Sequence, residues 1–462
     1  MTQPETAFDP QLNLIFENSR ACVSEVLSAT VLETDGLTAI GHELYARRRE
    51  DLSNLPAVEQ ARLITEKVGK ILPDTRLLTL LERSKTDGKQ LNIKYGIDPT
   101  GADVHLGHVV PMLTLDRLLR MGHAVTFVVG DFTAKIGDPS GRVSSRPVLT
   151  DEQIKLNMAN YGDQVRPLFD MDKVTVVNNG DWLNDYPLSK LMGLVSQIPV
   201  ASLLQRSDFR KRLEDGSGIT QAELLYPVVM ALDSVILGTD IEIGGRDQFL
   251  NLQMCRTVMA INGQEPETII TTDILEGTSG SGEKMSKSLG NYVGLSDQAN
   301  EIFGRIMSIP DSLLKQYFEL LTELNPQEWT LLEARMQSKD VNPMDVKKML
   351  AIDIVSILHS PEAGLEAQTK FEQRYSKKDY AAIDEALPVI DPSQGIMEQI
   401  MLARNESRSA IGRLLRGGGI QYVDSGGKKS KITDMEVIKT LGGGHIKVGR
   451  LVLRLGESKS NG

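Results

Sequence analysis

Two histidines three positions apart, in the run His105-Leu106-Gly107-His108, are the first residues of this chain whose types and spacing point to chemistry. On a helical turn they share a face, and each imidazole has an N–H that can donate to a phosphate oxygen. Gly107 lets a ligand approach the backbone closely. About 180 residues downstream stands Lys284-Met285-Ser286-Lys287-Ser288, preceded by the glycine-rich stretch Gly277-Thr278-Ser279-Gly280-Ser281-Gly282. Flexible lysines act as point charges rather than planar clamps. A glycine-rich loop can carry them over a substrate, where positive charge stabilises a leaving pyrophosphate. Taken singly, each run has a plainer reading, as incidental surface imidazoles or as a solvated basic loop.

These groups need a frame to hold them. Residues 92–97 read as a short strand, and Asp98-Pro99-Thr100-Gly101 as a turn. A helix over 109–120 and a second strand over 124–129 follow. Strand, turn, helix, strand is the pattern of a parallel α/β sheet. Further strand-like runs occupy 174–177, 241–243 and 268–271, with helical spacing over 188–195 and 222–232. In such a sheet ligands bind beyond the carboxyl ends of the strands, where a helix N-terminus offers free N–H groups and a positive dipole end. The histidine run falls at that point.

The two runs, in this order and separation, resemble the paired nucleotide-binding motifs of class I aminoacyl-tRNA synthetases, known as HIGH and KMSKS. Neighbouring residues resemble the bacterial tyrosyl branch of that family. They are Gly96-Ile97-Asp98-Pro99-Thr100, Ile136-Gly137-Asp138-Pro139-Ser140-Gly141, Asp181-Trp182-Leu183, Arg212-Leu213-Glu214-Asp215-Gly216, Leu225-Tyr226-Pro227, and Ile243-Gly244-Gly245 with Asp247-Gln248. The likeness runs from about residue 63 to the C-terminus and is strongest over 92–294.

The resemblance implies an activity and a set of roles. The chain is expected to adenylate an amino acid with ATP, accompanied by Mg2+, and to pass it to tRNA. His105 and His108, with Thr100 beside them, would stabilise the ATP phosphates, and Lys284 and Lys287 would close on the pyrophosphate. Asp98, Gly245 and Asp247 would hold the adenosine, with Gly96, Gly107, Met285 and Ser286 also on the ATP side. Asp138, Tyr226 and Gln248 would surround the ammonium and carboxylate of the amino acid. Asp233 would meet a phenol, supported by Asn179, and Lys94, Thr133 and Met230 complete that pocket. A buried polar partner distinguishes a phenol from a phenyl ring, because a missing hydroxyl leaves that partner unpaired. Lys94 stands where many members have a tyrosine, Met230 where a glutamine is usual and Leu232 where a tyrosine is usual. Arg246 replaces a small hydroxyl residue. These departures keep open a paralogue that activates a different amino acid or serves a non-translational acceptor. A non-catalytic RNA-binding protein is the remaining alternative.

The organisation expected is a helical extension over 1–60, a Rossmann-like, doubly wound parallel-sheet catalytic domain over 61–294, a helical anticodon-side domain over 295–390 and a small α+β module over 397–462. The net charge is -11, but from Met397 onward there are 12 Lys and Arg against 6 Asp and Glu, leaving -17 for the rest. A basic end on an acidic body suits local binding of a polyanion. That segment is similar to the ribosomal-protein-type RNA-binding module of bacterial tyrosyl enzymes, and Arg408, Arg413 and Arg416 are spaced to share a helical face. No apolar run approaches the ~20 residues that span a bilayer, and no signal-peptide pattern is present. Two cysteines, Cys22 and Cys255, do not make a disulfide framework, so a reducing cytoplasm is expected. No metal-ligand spacing of Cys and His occurs. A homodimer is expected from the resemblance alone.

Overall fold

The computed structural model describes residues 34–99, 104–140, 150–204, 207–216, 218–377, 387–424, 427–441, 443–449 and 451–456, with Val23 and Leu27. Thr100, Cys22 and most of the first 33 residues therefore lie outside the described set. The chain forms two compact units, Met1–Leu365 and Glu366–Gly462.

The first unit is built on a six-stranded sheet in the order β1-β6-β5-β2-β3-β4. Its strands are β1 (Lys70–Leu72), β2 (Asn92–Ile97), β3 (Ala124–Val129), β4 (Val174–Asn178), β5 (Ile241–Gly245) and β6 (Thr268–Thr272). β2 pairs in parallel with β3 over its whole length, Asn92 opposite Ala124 and Ile97 opposite Val129. On its other side β2 pairs in parallel with β5, and β5 with β6. Apolar residues such as Ile93, Val125, Val128, Ile243 and Ile270 are buried, as expected for strands covered on both faces. The sequence leads to a wholly parallel sheet. The sheet is instead mixed, because β1 adds an antiparallel edge on β6. A three-residue strand is too short to leave a period in the sequence.

From β2 the strand order runs outward in both directions, β3 then β4 on one side, β5 then β6 on the other. That reversal makes the crevice at the carboxyl ends of β2 and β5 a topological switch point. Along the chain, α1 (Thr34–Arg47) comes first, then α2 (Leu106–Arg120) leaves β2 and α3 (Leu188–Val195) follows β4. α4 (Gln221–Leu237) and α5 (Phe249–Ile261) flank β5. α4 starts with a Thr220–Glu223 capping box and stops at Gly238, whose φ is 59°; both are ordinary helix-end signals.

Helices α6 (Ala299–Met307), α7 (Leu314–Leu321), α8 (Pro326–Gln337) and α9 (Pro343–Leu358) complete this unit. α1 packs along α9. Arg47 makes a two-pronged pair with Glu328, and Arg48 pairs with Asp353. Glu323, between α7 and α8, accepts two hydrogen bonds from Arg117 at 2.9 and 3.2 Å and faces Arg120 at 3.5 Å. Both arginines lie in the last turn of α2.

The second unit is a five-stranded sheet in the order β7-β11-β10-β8-β9, with β7 (Val389–Ile390), β8 (Ile420–Val423), β9 (Lys429–Lys431), β10 (His445–Val448) and β11 (Leu451–Leu455). α10 (Ile396–Arg404) and α11 (Arg408–Arg416) share its core through Ile396, Ile400 and Ile411.

Candidate active site

His105 is the N-cap of α2, in extended conformation at φ -134°. Its Nδ1 accepts from Gly107 N at 3.2 Å, and His108 Nδ1 accepts from His105 N at 3.2 Å. The sequence thus uses the pair as a reciprocal cap in place of the usual Ser and Glu. This has a chemical consequence. A ring nitrogen that accepts carries no proton, so in each neutral ring the proton sits on Nε2. Burial lowers both imidazoles, His105 to about 3 with help from His108 and Lys284, and His108 to about 4. At neutral pH the site therefore holds two uncharged N–H donors, with ring centroids 4.0 Å apart.

The lysine run meets this turn. A Cβ added at Gly107 would lie 3.7 Å from Met285 Cβ. The chain after the run passes antiparallel beside the histidines, with Leu106 N on Val293 O at 3.0 Å and a bridge between His105 and Gly294. Asn291, buried, accepts from Ser286 N at 2.8 Å and holds the loop's base. Lys284 Nζ lies 3.7 Å from Asp247 Oδ2, and Lys287 Nζ sits 5.5 Å from the centre of the Tyr292 ring.

Both runs open onto one cavity of about 580 Å³ at the switch point, lined from the strand ends by Gly96, Asp98, Gly130, Gly244, Gly245 and Thr272. Gly130 is required by space, since a Cβ there would collide with Asp98 Oδ1 and Thr133 Oγ1. Asp98 itself accepts from Thr133 Oγ1 at 2.7 Å and from Tyr226 OH at 2.9 Å. It is therefore bonded to two residues expected around the amino acid, and it stands between the two halves of the cavity.

Asp138 accepts from Gln248 Nε2 at 2.8 Å, from Ser140 N at 3.0 Å and from Asn251 Nδ2 at 3.2 Å. Deeper in, Asp233 accepts from Asn179 Nδ2 at 3.2 Å and from Trp182 Nε1 at 2.8 Å. Burial pushes Asp233 up to about 6, against the opposing pull of Lys94 and these two donors. Lys94, fully buried, forms an ion pair with Glu242 at 2.8 Å and donates to Ser234 Oγ at 2.7 Å. Met230 lines the cavity, whereas Leu232 is buried in the core with Leu183 and Ile198 and does not. Arg246 is exposed and lies 3.6 Å from Asp273.

Of the catalytic and ligand-binding residues expected from the sequence, all but Thr100, which is outside the described set, line this cavity or lie against it. Arg408, Arg413 and Arg416 are exposed on α11 of the other unit, and Arg408 forms an ion pair with Glu398. Sequence reasoning missed Asn251, Gly130, Glu242 and Tyr292. It quoted Trp182 without giving it a role. Only Trp182 carried a usable signal, as part of a quoted motif; the others acquire partners through the fold.

Comparison with known proteins follows the same line. The family model described as tRNA synthetases class I (W and Y) matches residues 85–376. The chain is 37% identical over 404 residues to the tyrosine–tRNA ligase of Thermotoga maritima, covering 87% of this chain and 96% of that one. It is 41% identical over 320 residues to that of Carboxydothermus hydrogenoformans, covering 69% and 78%. Among solved structures, a truncated mitochondrial tyrosyl-tRNA synthetase from Aspergillus nidulans superposes with a TM-score of 0.55 at 22% identity, over 74% of this chain and 99% of that one. The tyrosyl-tRNA synthetase of Archaeoglobus fulgidus, solved with L-tyrosine, gives 0.53 at 19%, over 67% and 99%. At such identities the likeness is one of fold.

Proposed function

We propose that this chain, which belongs to the bacterial tyrosyl-tRNA synthetases of class I, joins tyrosine to the α-phosphate of ATP and then transfers the tyrosyl group to the 3′-terminal ribose of a tRNA. The observation that carries this reading is the meeting of the histidine and lysine runs at one cavity.

In the proposed mechanism the tyrosine carboxylate attacks the α-phosphorus in line and pyrophosphate leaves. The Nε2–H groups of His105 and His108 donate to phosphate oxygens as charge develops there, and Lys284 and Lys287 follow the pyrophosphate. Catalysis of this kind is positioning plus electrostatic stabilisation. Asp247 and Gly245 take the ribose side. Asp138, fixed by Gln248 and Asn251, receives the substrate ammonium, and Asp233 receives the phenol hydroxyl. Mg2+ belongs to the ATP in this reading and adds charge neutralisation at the phosphates. Among the described residues, the group with metal-like spacing is Glu242, Cys255 and Glu267; it lies buried beside the Lys94 ammonium, which does not suit a dication.

The second unit is the proposed RNA-binding module. Arg413 and Arg416 on α11 and Lys429 and Lys431 on β9 are exposed, and a Cβ at Gly418 would lie 3.6 Å from Lys431 Nζ, so the two elements adjoin. A homodimer is part of the proposal; Leu188 and Met192 on α3, 71% and 57% exposed, are apolar surface that a second copy would cover. A cytoplasmic place of action goes with this reading. Among the described residues no helix is long and apolar enough to cross a membrane.

Tyrosine-dependent exchange between pyrophosphate and ATP, followed by charging of tRNA, tests the proposal. Absence of exchange with every amino acid overturns it. Exchange that prefers another amino acid would favour the paralogue reading, for which Met230 in the cavity wall is the motive.

A further inference from the structure

Beneath the amino-acid end of the cavity lies a buried ionic chain that the proposed mechanism does not use. Lys94 on β2 is the register partner of Glu242 on β5. Its ammonium is held by Glu242 at 2.8 Å and by Ser234 Oγ at 2.7 Å, and Ser234 Oγ in turn donates to Glu242 Oε2 at 3.2 Å. Behind Glu242 sits Glu267, which is 0% exposed. A carboxylate oxygen of each glutamate and the Cys255 sulfur all lie within 4.8 Å of one another.

The charges do not balance if both glutamates are ionised. Among the described residues, the cation paired within this buried cluster is Lys94, and it is already matched by Glu242. Neither oxygen of Glu267 has a partner in hydrogen-bond geometry. The nearby Ser234 hydroxyl, whose single proton is directed at Glu242, favours the ionised form but is outweighed by burial and by the Glu242 charge. The Arg256 guanidinium, which also attracts the carboxylate, bonds the Glu267 backbone carbonyl instead. Asp233, the nearest further acid, is served by its own donors from Asn179 and Trp182, and the buried Cys255 thiol is held neutral. A buried carboxylate without a donor is strongly disfavoured. A protonated carboxyl beside Glu242 removes the excess charge and supplies the missing bond, because the acid form has an O–H to donate.

From this geometry, and on the reading of the cavity given above, we propose that Glu267 is a protonated positioning residue whose carboxyl O–H braces Glu242, which in turn fixes the Lys94 ammonium under the substrate's phenol end. Burial and the charge of Glu242 both hold the Glu267 carboxyl well above the usual range. Burial alone would raise Glu242 as well, but the Lys94 ammonium outweighs it and brings it down. Tyrosine binding, rather than ATP binding, is then what the brace supports.

The test uses the full chain with Glu267→Gln and Glu267→Ala. Glutamine has the shape of the protonated acid and keeps an N–H donor. It is expected to keep KM for tyrosine within about twofold of wild type, whereas alanine raises it about tenfold, the scale of one lost hydrogen bond to a charged group. KM for ATP is expected to stay unchanged in both. In the infrared spectrum, the carbonyl stretch of a protonated carboxyl should be present in wild type and lost in Glu267→Gln. A glutamine variant that loses tyrosine affinity as alanine does, or a wild type without the protonated-carboxyl band, overturns the proposal. Should the alanine variant fail to fold, the glutamine variant and the infrared band decide. A wild type inactive with tyrosine would defeat the functional reading instead, and the band would still report on Glu267.

Discussion

At the scale of single residues, the chemistry depends on which atoms hold protons. His105 and His108 are neutral because they are buried, and their Nδ1 atoms are occupied by backbone donors. Both folded-state values lie below the ordinary histidine range, so the unfolded chain takes up protons first. The contribution of these residues to stability is therefore complete above about pH 6.5 and is lost as pH falls toward the folded values of about 3 and 4. Urea midpoints measured from neutral to acid pH should fall across that window in wild type and less steeply in a His105→Gln/His108→Gln variant. Asp233, pushed up to about 6, makes a second pH prediction. Above that value it is a carboxylate able to accept the phenol O–H, and below it the proton competes. The kcat/KM for tyrosine should therefore decline as pH drops through about 6, and Asp233→Asn should remove the decline along with most of the affinity. A flat profile in wild type would contradict the assignment of Asp233 to the phenol.

At the scale of elements, two arrangements position those residues. One is the close turn after β3. Gly130→Ala drives a methyl into Asp98 and Thr133. It should raise KM for tyrosine while leaving the fold intact by circular dichroism, since the collision is with side chains at the cavity wall. The other is the tether at the far end of the histidine-bearing helix. Burial alone would raise the Glu323 carboxyl, but Arg117, Arg120 and Arg48 outweigh it and hold the group ionised well below the usual range. Those cations come from α2 and from the residue that follows α1. Removing the anion strands buried guanidinium groups, a change that typically costs about 3–5 kcal/mol. Glu323→Gln should therefore lower the denaturant midpoint markedly; a loss no larger than that of a surface ion pair would show that the cluster is solvated.

At the scale of the whole molecule, the chain separates an acidic catalytic unit from a basic second unit. Contacts to nucleic-acid phosphates are salt-dependent and largely independent of sequence. Arg413→Ala with Arg416→Ala should leave pyrophosphate exchange unchanged, raise KM for tRNA and reduce the salt dependence of charging. Equal loss in exchange and charging would show that the two arginines serve the fold rather than RNA.

Much of this protein could be read from its sequence, and the part that could not has a common cause. The central strands announced themselves because β3 is apolar at nearly every position and β2 and β5 each carry alternating apolar residues, Ile93, Tyr95 and Ile97 in one and Ile241 and Ile243 in the other. The histidine and lysine runs did so because each is a contiguous string of unusual types. Those are local properties, carried by neighbours in the chain. The edge strand Lys70–Leu72 was missed, since its pairing with β6 leaves no local trace. Asn251 reads as one polar residue in a helix until the fold sets it against Asp138. Lys94 reads as an odd charge in a buried strand until parallel pairing brings Glu242 alongside it. Residue types and their short-range spacing determined the class of fold and the nucleotide chemistry. The partner of each buried polar group was decided only in three dimensions, because hydrogen bonds and ion pairs are satisfied by proximity in space, which the order of residues does not record.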